Sequence, residues 1–237
     1  MQATEYAPGL VVQGLATPAP QLSDFKLIAF DMDSTLINIE CVDEIADAAG
    51  RKAEVAAITE AAMQGVITDF KESLRQRVAL LKGVPVEHLE AVFHERLRFN
   101  PGAQALIGAA RAAGLKTLLV SGGFTFFADR VKAGLGIDFA RSNQLEIEHG
   151  ALTGRMIDQC WGDICDGAEK RRTLLEVASL MGIGAHQTIA VGDGANDLPM
   201  MGASGLSVAY HAKPKVRTQA QVAINEGGLD RLLEVLR

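Results

Sequence analysis

Short apolar runs that stop abruptly at polar residues constrain this fold more than any other feature. Leu27-Ile28-Ala29-Phe30 ends at Asp31. Unalternated runs of this length suit strands buried on both faces, as in a parallel sheet. Similar runs recur at Thr117–Val120, Thr188–Val191, Leu206–Ala209 and Val222–Ile224. Helical patterns lie between several of them. In Thr173–Met181, for example, Leu174, Val177, Ala178 and Met181 share one stripe. This alternation predicts an α/β chain with a Rossmann-like parallel sheet and helices on both faces. A chain of 237 residues, 48% of them hydrophobic, can bury a sizeable core. Its length fits one large domain or a domain with an insertion.

Residues 40–99 break the rhythm. They hold no convincing strand and read as four helices, about 42–49, 52–63, 69–81 and 86–97, punctuated by Gly50, Gly65 and Gly83. Pro85 suits the start of the last, and Asn100-Pro101-Gly102 marks the return to the core. The expected division is a lead-in over 1–24, a catalytic core over 25–39 and 100–237, and an inserted helical cap over 40–99. Pro8, Gly9, Gly14, Pro18 and Pro20 predict a poorly structured lead-in with a short strand at Leu10–Val12. Gln144–Ile147 and Leu152–Ile157 read as a β-hairpin.

Charge and cysteine usage exclude several classes. Lys plus Arg is 23 and Asp plus Glu is 29, a net charge of −6, which argues against a nucleic-acid partner bound by global charge. The three cysteines, Cys41, Cys160 and Cys165, form no C-x-x-C pair, against a disulfide framework or a zinc ribbon. Residues 1–25 contain no Lys or Arg, so no basic segment precedes an apolar stretch. No run of about 18 apolar residues predicts a membrane span. The expectation is a cytoplasmic protein with reduced thiols and a small-molecule partner, either monomer or homodimer. The five histidines show no metal-ligand spacing.

The polar clusters fall at strand ends. Asp31-Met32-Asp33-Ser34-Thr35 follows the first run, Ser121-Gly122-Gly123 the second, and Gly192-Asp193-Gly194-Ala195-Asn196-Asp197 the third; Lys170 opens the helix before that third run. In open α/β sheets, ligands bind beyond the carboxyl ends of the strands. Successive strand ends bearing acids, a Ser-Gly-Gly turn and more acids suggest one shared crevice.

In order, Asp31-x-Asp33-Ser34-Thr35, Ser121, Lys170 and Gly192-Asp193-Gly194-Ala195-Asn196-Asp197 resemble the four motifs of the haloacid-dehalogenase-like phosphatases. The segments FDMDSTLINIECVDEIADA, SLRQRVALLKG, SGGFTFF and GDGANDLPM narrow the resemblance to members hydrolysing O-phosphoserine to serine and phosphate, the last step of serine synthesis. The resemblance runs from about Leu27 to the C-terminus and leaves residues 1–24 unexplained.

The resemblance implies Asp31 as nucleophile, forming an aspartyl-phosphate. A carboxylate can attack at pH 7 without losing a proton. Asp33 is the implied proton shuttle, first to the leaving serine oxygen and then from the attacking water. Mg²⁺ is the implied cofactor, on the carboxylates of Asp31 and Asp193 and the Asp33 backbone carbonyl. Lys170 adds positive charge and Asp197 holds it. Four acids are thereby set against three positive charges, so a phosphate dianion needs the metal. Ser121 and the Gly122 N–H are implied phosphate ligands at a helix start, with Asn196 beside them. Glu40 is implied for the substrate amine and Arg77 for its carboxylate. Arg75 competes with Arg77; two positions away, it points to another helix face. Met63 and Phe70 are pocket candidates. Other readings are a same-scaffold phosphatase or phosphotransferase for another small phosphomonoester, and a catalytically silent binding module. Asp31, Asp33, Lys170 and Asp193 together argue against silence.

Overall fold

The computed structural model describes residues 3–15, 18–63 and 66–236, with residues 62 and 63 as backbone only. The described residues form one nine-stranded sheet. Its strands are β1 (Thr4–Ala7), β2 (Leu10–Val12), β3 (Leu27–Phe30), β4 (Lys116–Phe124), β5 (Phe139–Glu148), β6 (Ala151–Ile157), β7 (Thr188–Gly192), β8 (Leu206–Tyr210) and β9 (Val222–Ile224). They lie in the order β1-β2-β9-β8-β7-β3-β4-β5-β6. β3 is parallel to both neighbours, with Phe30 opposite Leu119 of β4 and Val191 of β7. From β3 the chain first builds outward through β4 and β5, then returns to build β7, β8 and β9 on the other side. That reversal opens a crevice at the carboxyl ends of β3 and β7.

Helices α1 (Cys41–Ala48), α2 (Lys52–Met63), α3 (Phe70–Ala79) and α4 (Val86–Ala91) come between β3 and β4. Later come α5 (Ala103–Ala112), α6 (Thr125–Leu135), α7 (Gly167–Leu180), α8 (Leu198–Ala203), α9 (Pro214–Arg217) and α10 (Leu232–Val235). The two-residue period of β3 divides the core. Ile28 and Phe30 join a cluster that reaches Ile45 of α1 and Leu74 of α3. Leu27 and Ala29 face the opposite side, with Leu174 and Ala178 of α7 and Met200 of α8. Burial on both faces explains the unbroken apolar runs.

Five details differ from the sequence reading. The lead-in has the expected strand at Leu10–Val12, and its described residues hold more structure than expected: β1 pairs antiparallel with β2, and β2 with β9. Gly9, at φ 70°, makes the turn, and Leu10 is fully buried. Ser121-Gly122-Gly123 is not a turn opening a helix. β4 runs through it to Phe124, and α6 starts at Thr125. The Gly123 amide bonds Ser121 Oγ at 2.8 Å and Asn143 Nδ2 donates to the Gly122 carbonyl at 2.7 Å, which hold the segment extended. β5 begins at Phe139, parallel to β4, before it pairs antiparallel with β6. α7 begins at Gly167, capped by Asp166 on the Glu169 amide at 2.8 Å, so Lys170 is its fourth residue. α4 ends at Ala91 and passes into a wider π turn over Val92–Arg96. The loop before α4 runs along β6: Gly83 N donates to Leu152 O at 2.7 Å, and Leu152 N to Val84 O at 2.8 Å.

Candidate active site

Asp31 stays in register for one residue beyond β3, its amide donating to the Val191 carbonyl at 2.9 Å. The chain then turns sharply. Ser34 sits in the left-handed region at φ 57°, an uncommon place for a residue with a side chain. Its amide donates to the Ile39 carbonyl at 3.1 Å and its hydroxyl to Glu40 Oε1 at 2.6 Å. The turn thus returns Glu40 to the strand end. The Cys41 amide donates to Asp33 Oδ2 at 3.0 Å and its thiol to Oδ1 at 3.2 Å, which fixes the Asp33 carboxyl.

From the other side of the sheet, α7 delivers Lys170. Its ammonium donates to Asp31 Oδ1 at 2.5 Å and to Asp197 Oδ1 at 2.7 Å, with no exposure to solvent. Asp197 Oδ2 accepts from the amides of Asp193, at 3.1 Å, and Gly194, at 2.9 Å. A Cβ on Gly192 would lie 2.4 Å from Asp197 Cγ, so only glycine lets Asp197 approach this closely.

The electrostatics follow from this burial. Desolvation and then Asp197 push the Asp31 carboxyl well above its ordinary value, against the pull of Lys170. Desolvation and then Glu40 push Asp33 up to about 7. Desolvation and then Asp197 push Asp193 up to about 7. Burial lowers the Lys170 pKa, but Asp197 and Asp31 outweigh it and hold the ammonium charged. The site therefore has more carboxylate than its own cation can neutralise.

That imbalance tests the fit of a metal. Asp31, Asp193 and Asp197 offer carboxylate oxygens all within 4.8 Å of one another. Both oxygens of Asp197 are already engaged, so Asp31 and Asp193 have the oxygens left to give. A hard, all-oxygen donor set suits Mg²⁺. Raised carboxyl pKa values also set the pH dependence of stability. A carboxyl that titrates near 3.8 when unfolded and about 7 when folded opposes folding progressively as pH rises between those values. Metal-free protein should therefore lose Tm from pH 5 to pH 7.5, by on the order of 5 °C. Mg²⁺ should restore that loss at pH 7.5. The check is a melting series on wild type and Asp193→Asn; an equal slope and an equal Mg²⁺ response in both would remove Asp193 from the account.

Asp31, Asp33, Glu40, Arg77, Ser121, Gly122, Asp193 and Asn196 line one cavity of about 850 Å³. Lys170 and Asp197 are fully buried below its floor. Arg77 opens onto the cavity near the end of α3. Arg75, on another face of that helix, pairs with Asp163 at 2.7 Å outside it. Phe70 lines the cavity close to Gly122; the Met63 side chain lies outside the described residues. Ser34, Asp43 and Lys213 also line the cavity, and the sequence reading assigned them no role. Ser34 carried a signal in its place inside the first acid motif; Asp43 and Lys213 carried none.

The sequence profile of the haloacid dehalogenase-like hydrolases matches residues 28–202, and the chain belongs to that family. Phosphatases of the family generally use Mg²⁺. Its relatives are more particular. The phosphoserine phosphatase of Polaromonas sp. is 72% identical over 237 residues, covering 100% of both chains. That of Albidiferax ferrireducens is 69% identical over the same span and coverage. A solved phospho-aspartyl intermediate analogue of phosphoserine phosphatase superposes with a TM-score of 0.82 at 39% identity, over 90% of this chain and 99% of that one. None of the described helices is long and apolar enough to cross a membrane.

Proposed function

We infer that the chain is a phosphoric monoester hydrolase that converts O-phosphoserine to serine and inorganic phosphate through an aspartyl-phosphate. The carrying observation is one cavity lined by Asp31, Asp33 and Asp193, by Glu40 just before α1, and by Arg77 on α3. The first three suit transfer of a phosphoryl group, and Glu40 and Arg77 suit the amine and carboxylate of an amino acid.

Asp31 attacks phosphorus in line as the bond to the serine oxygen breaks, and an acyl phosphate forms on its side chain. The Lys170 bond to Oδ1 fixes its rotamer. Asp33 gives its proton to the departing serine oxygen, then takes one from the water that cleaves the acyl phosphate. A pKa of about 7 suits a group that must do both near neutrality. Ser121, whose oxygen already accepts from Gly123, has its hydroxyl proton to give to a phosphoryl oxygen, beside the Gly122 amide and Asn196. Asp31, Asp193 and the Asp33 carbonyl are the residues to hold Mg²⁺, which when bound supplies positive charge against the phosphoryl oxygens. The three described cysteines are free thiols, which favours a reducing, cytoplasmic setting.

The test is phosphate release from O-phosphoserine by EDTA-treated protein, with and without Mg²⁺ and an acceptor alcohol. Release only with Mg²⁺, undiverted by the alcohol, supports the reading; transfer to the alcohol makes the enzyme a phosphotransferase. The α3 arginines give a sharper expectation. Arg77→Ala should lower kcat/KM for phosphoserine by about 10- to 150-fold, the worth of one charge-assisted hydrogen bond. Phosphoethanolamine, which lacks the carboxylate, should lose far less. Arg75→Ala should change neither. A loss shared equally by both substrates would make Arg77 structural, and a selective loss in Arg75→Ala would exchange the two roles.

A further inference from the structure

Asp43 is one helical turn beyond Glu40 and lines the same cavity. Acids in the first turn of a helix ordinarily cap free backbone amides or answer the helix dipole. Asp43 Oδ1 forms no such cap: it is buried and has no hydrogen-bond partner, and the side-chain oxygen on the first amide of α1 is that of Asp33. A buried carboxylate oxygen left unpaired is costly and calls for an explanation. The neighbourhood supplies one. Asp43 lies within electrostatic reach of both Glu40 and Arg77. Glu40 already accepts from Ser34 on Oε1, which leaves Oε2 for a ligand. An ammonium group has three donors, more than that one oxygen satisfies.

The charge arithmetic points the same way. Glu40 and Asp43 against Arg77 give this wall one net negative charge. The amino-acid end of phosphoserine, ammonium plus carboxylate, is neutral there. The same skeleton with a hydroxyl in place of the ammonium brings a net negative charge to a negative wall. We propose that Asp43 is a specificity-determining residue, accepting from the substrate ammonium beside Glu40 and repelling hydroxy-acid phosphates that lack it. Discrimination then comes from an added repulsion as well as an added attraction. This inference rests on the phosphoserine reading above.

The experiment compares kcat/KM of wild type, Asp43→Asn and Asp43→Ala on three phosphomonoesters: phosphoserine, phosphoethanolamine and 3-phosphoglycerate. Asp43→Asn keeps the shape and removes the charge. It should lower both amine substrates by about tenfold or more, and 3-phosphoglycerate should hold or improve. Asp43→Ala should show the same direction. An equal loss on all three substrates would make Asp43 structural and overturn the proposal. A loss on phosphoserine with none on phosphoethanolamine would also overturn it, since Asp43 would then act through Arg77 on the carboxylate. Failure of the wild type to hydrolyse phosphoserine would strike the functional reading itself and is visible in the same assay.

Discussion

Asp31→Asn is expected to fold and to release essentially no phosphate. The amide is nearly isosteric with the carboxylate, and the strand that carries it is tied to its neighbours through main-chain bonds. An amide is a poor nucleophile, so the covalent step has no substitute group. The substitution does weaken one of the two ion pairs of Lys170. Breaking a fully buried pair costs about 3–5 kcal/mol; here Asp197 still holds the ammonium at 2.7 Å, so the loss should be smaller. The measurement is steady-state phosphate release together with acid-quenched protein after brief exposure to ³²P-labelled phosphoserine. Wild type should carry label and the variant none. Retention of more than roughly a tenth of wild-type turnover would place the nucleophile elsewhere.

Asp33→Asn should slow both half-reactions, by roughly 10²- to 10⁴-fold overall. The asparagine keeps an oxygen for the Cys41 amide but neither gives nor takes a proton. The leaving group separates the two steps. The nitrophenolate of p-nitrophenyl phosphate departs without protonation, so the variant should still load phosphate onto Asp31 from that ester. Dephosphorylation should then stall, seen as a burst of nitrophenolate followed by slow turnover. Phosphoserine, whose alkoxide needs the proton, should give no burst. Near-normal turnover on both esters would move the acid–base role to another group.

The strand ends were legible because the chemistry there is abrupt: Phe30 to Asp31, Val191 to Gly192-Asp193. A strand buried on both faces has no polar alternation to blur its limit. The first half of β5 was not legible, because Phe139, Ala140 and Arg141 are exposed or half-buried and supply neither an apolar run nor a clean alternation. The β1–β2 hairpin was hidden among Pro and Gly, which signal turns but not what the turns connect. Motif positions also left pairings unresolved. That Lys170 joins Asp31 to Asp197 across 139 and 27 residues is fixed by the sheet order. Motif position favoured Arg77 over Arg75, and the register of α3 is what puts Arg77 on the cavity and Arg75 on Asp163. The Cys41 bonds to Asp33 had no sequence signature, since a cysteine after an acid is usually just core.

Each rim of the sheet, among the described residues, carries a feature that works against strand addition by another chain. Without the N-terminal hairpin, the open side of β9 would present Val222, Ala223 and Ile224, an apolar strand with free main-chain donors and acceptors. β1 puts a different surface there: four residues, a register shift between Glu5 and Ala7, and Thr4, Glu5 and Tyr6 turned to water. Short, kinked and charged edges are poor partners for lateral strand addition. The opposite rim, β6, is paired at Leu152 by the loop of Gly83 and Val84. The same segment that carries Arg77 to the cavity thus also covers the start of that rim, so its attachment bears on colloidal behaviour as well as on the shape of the cavity.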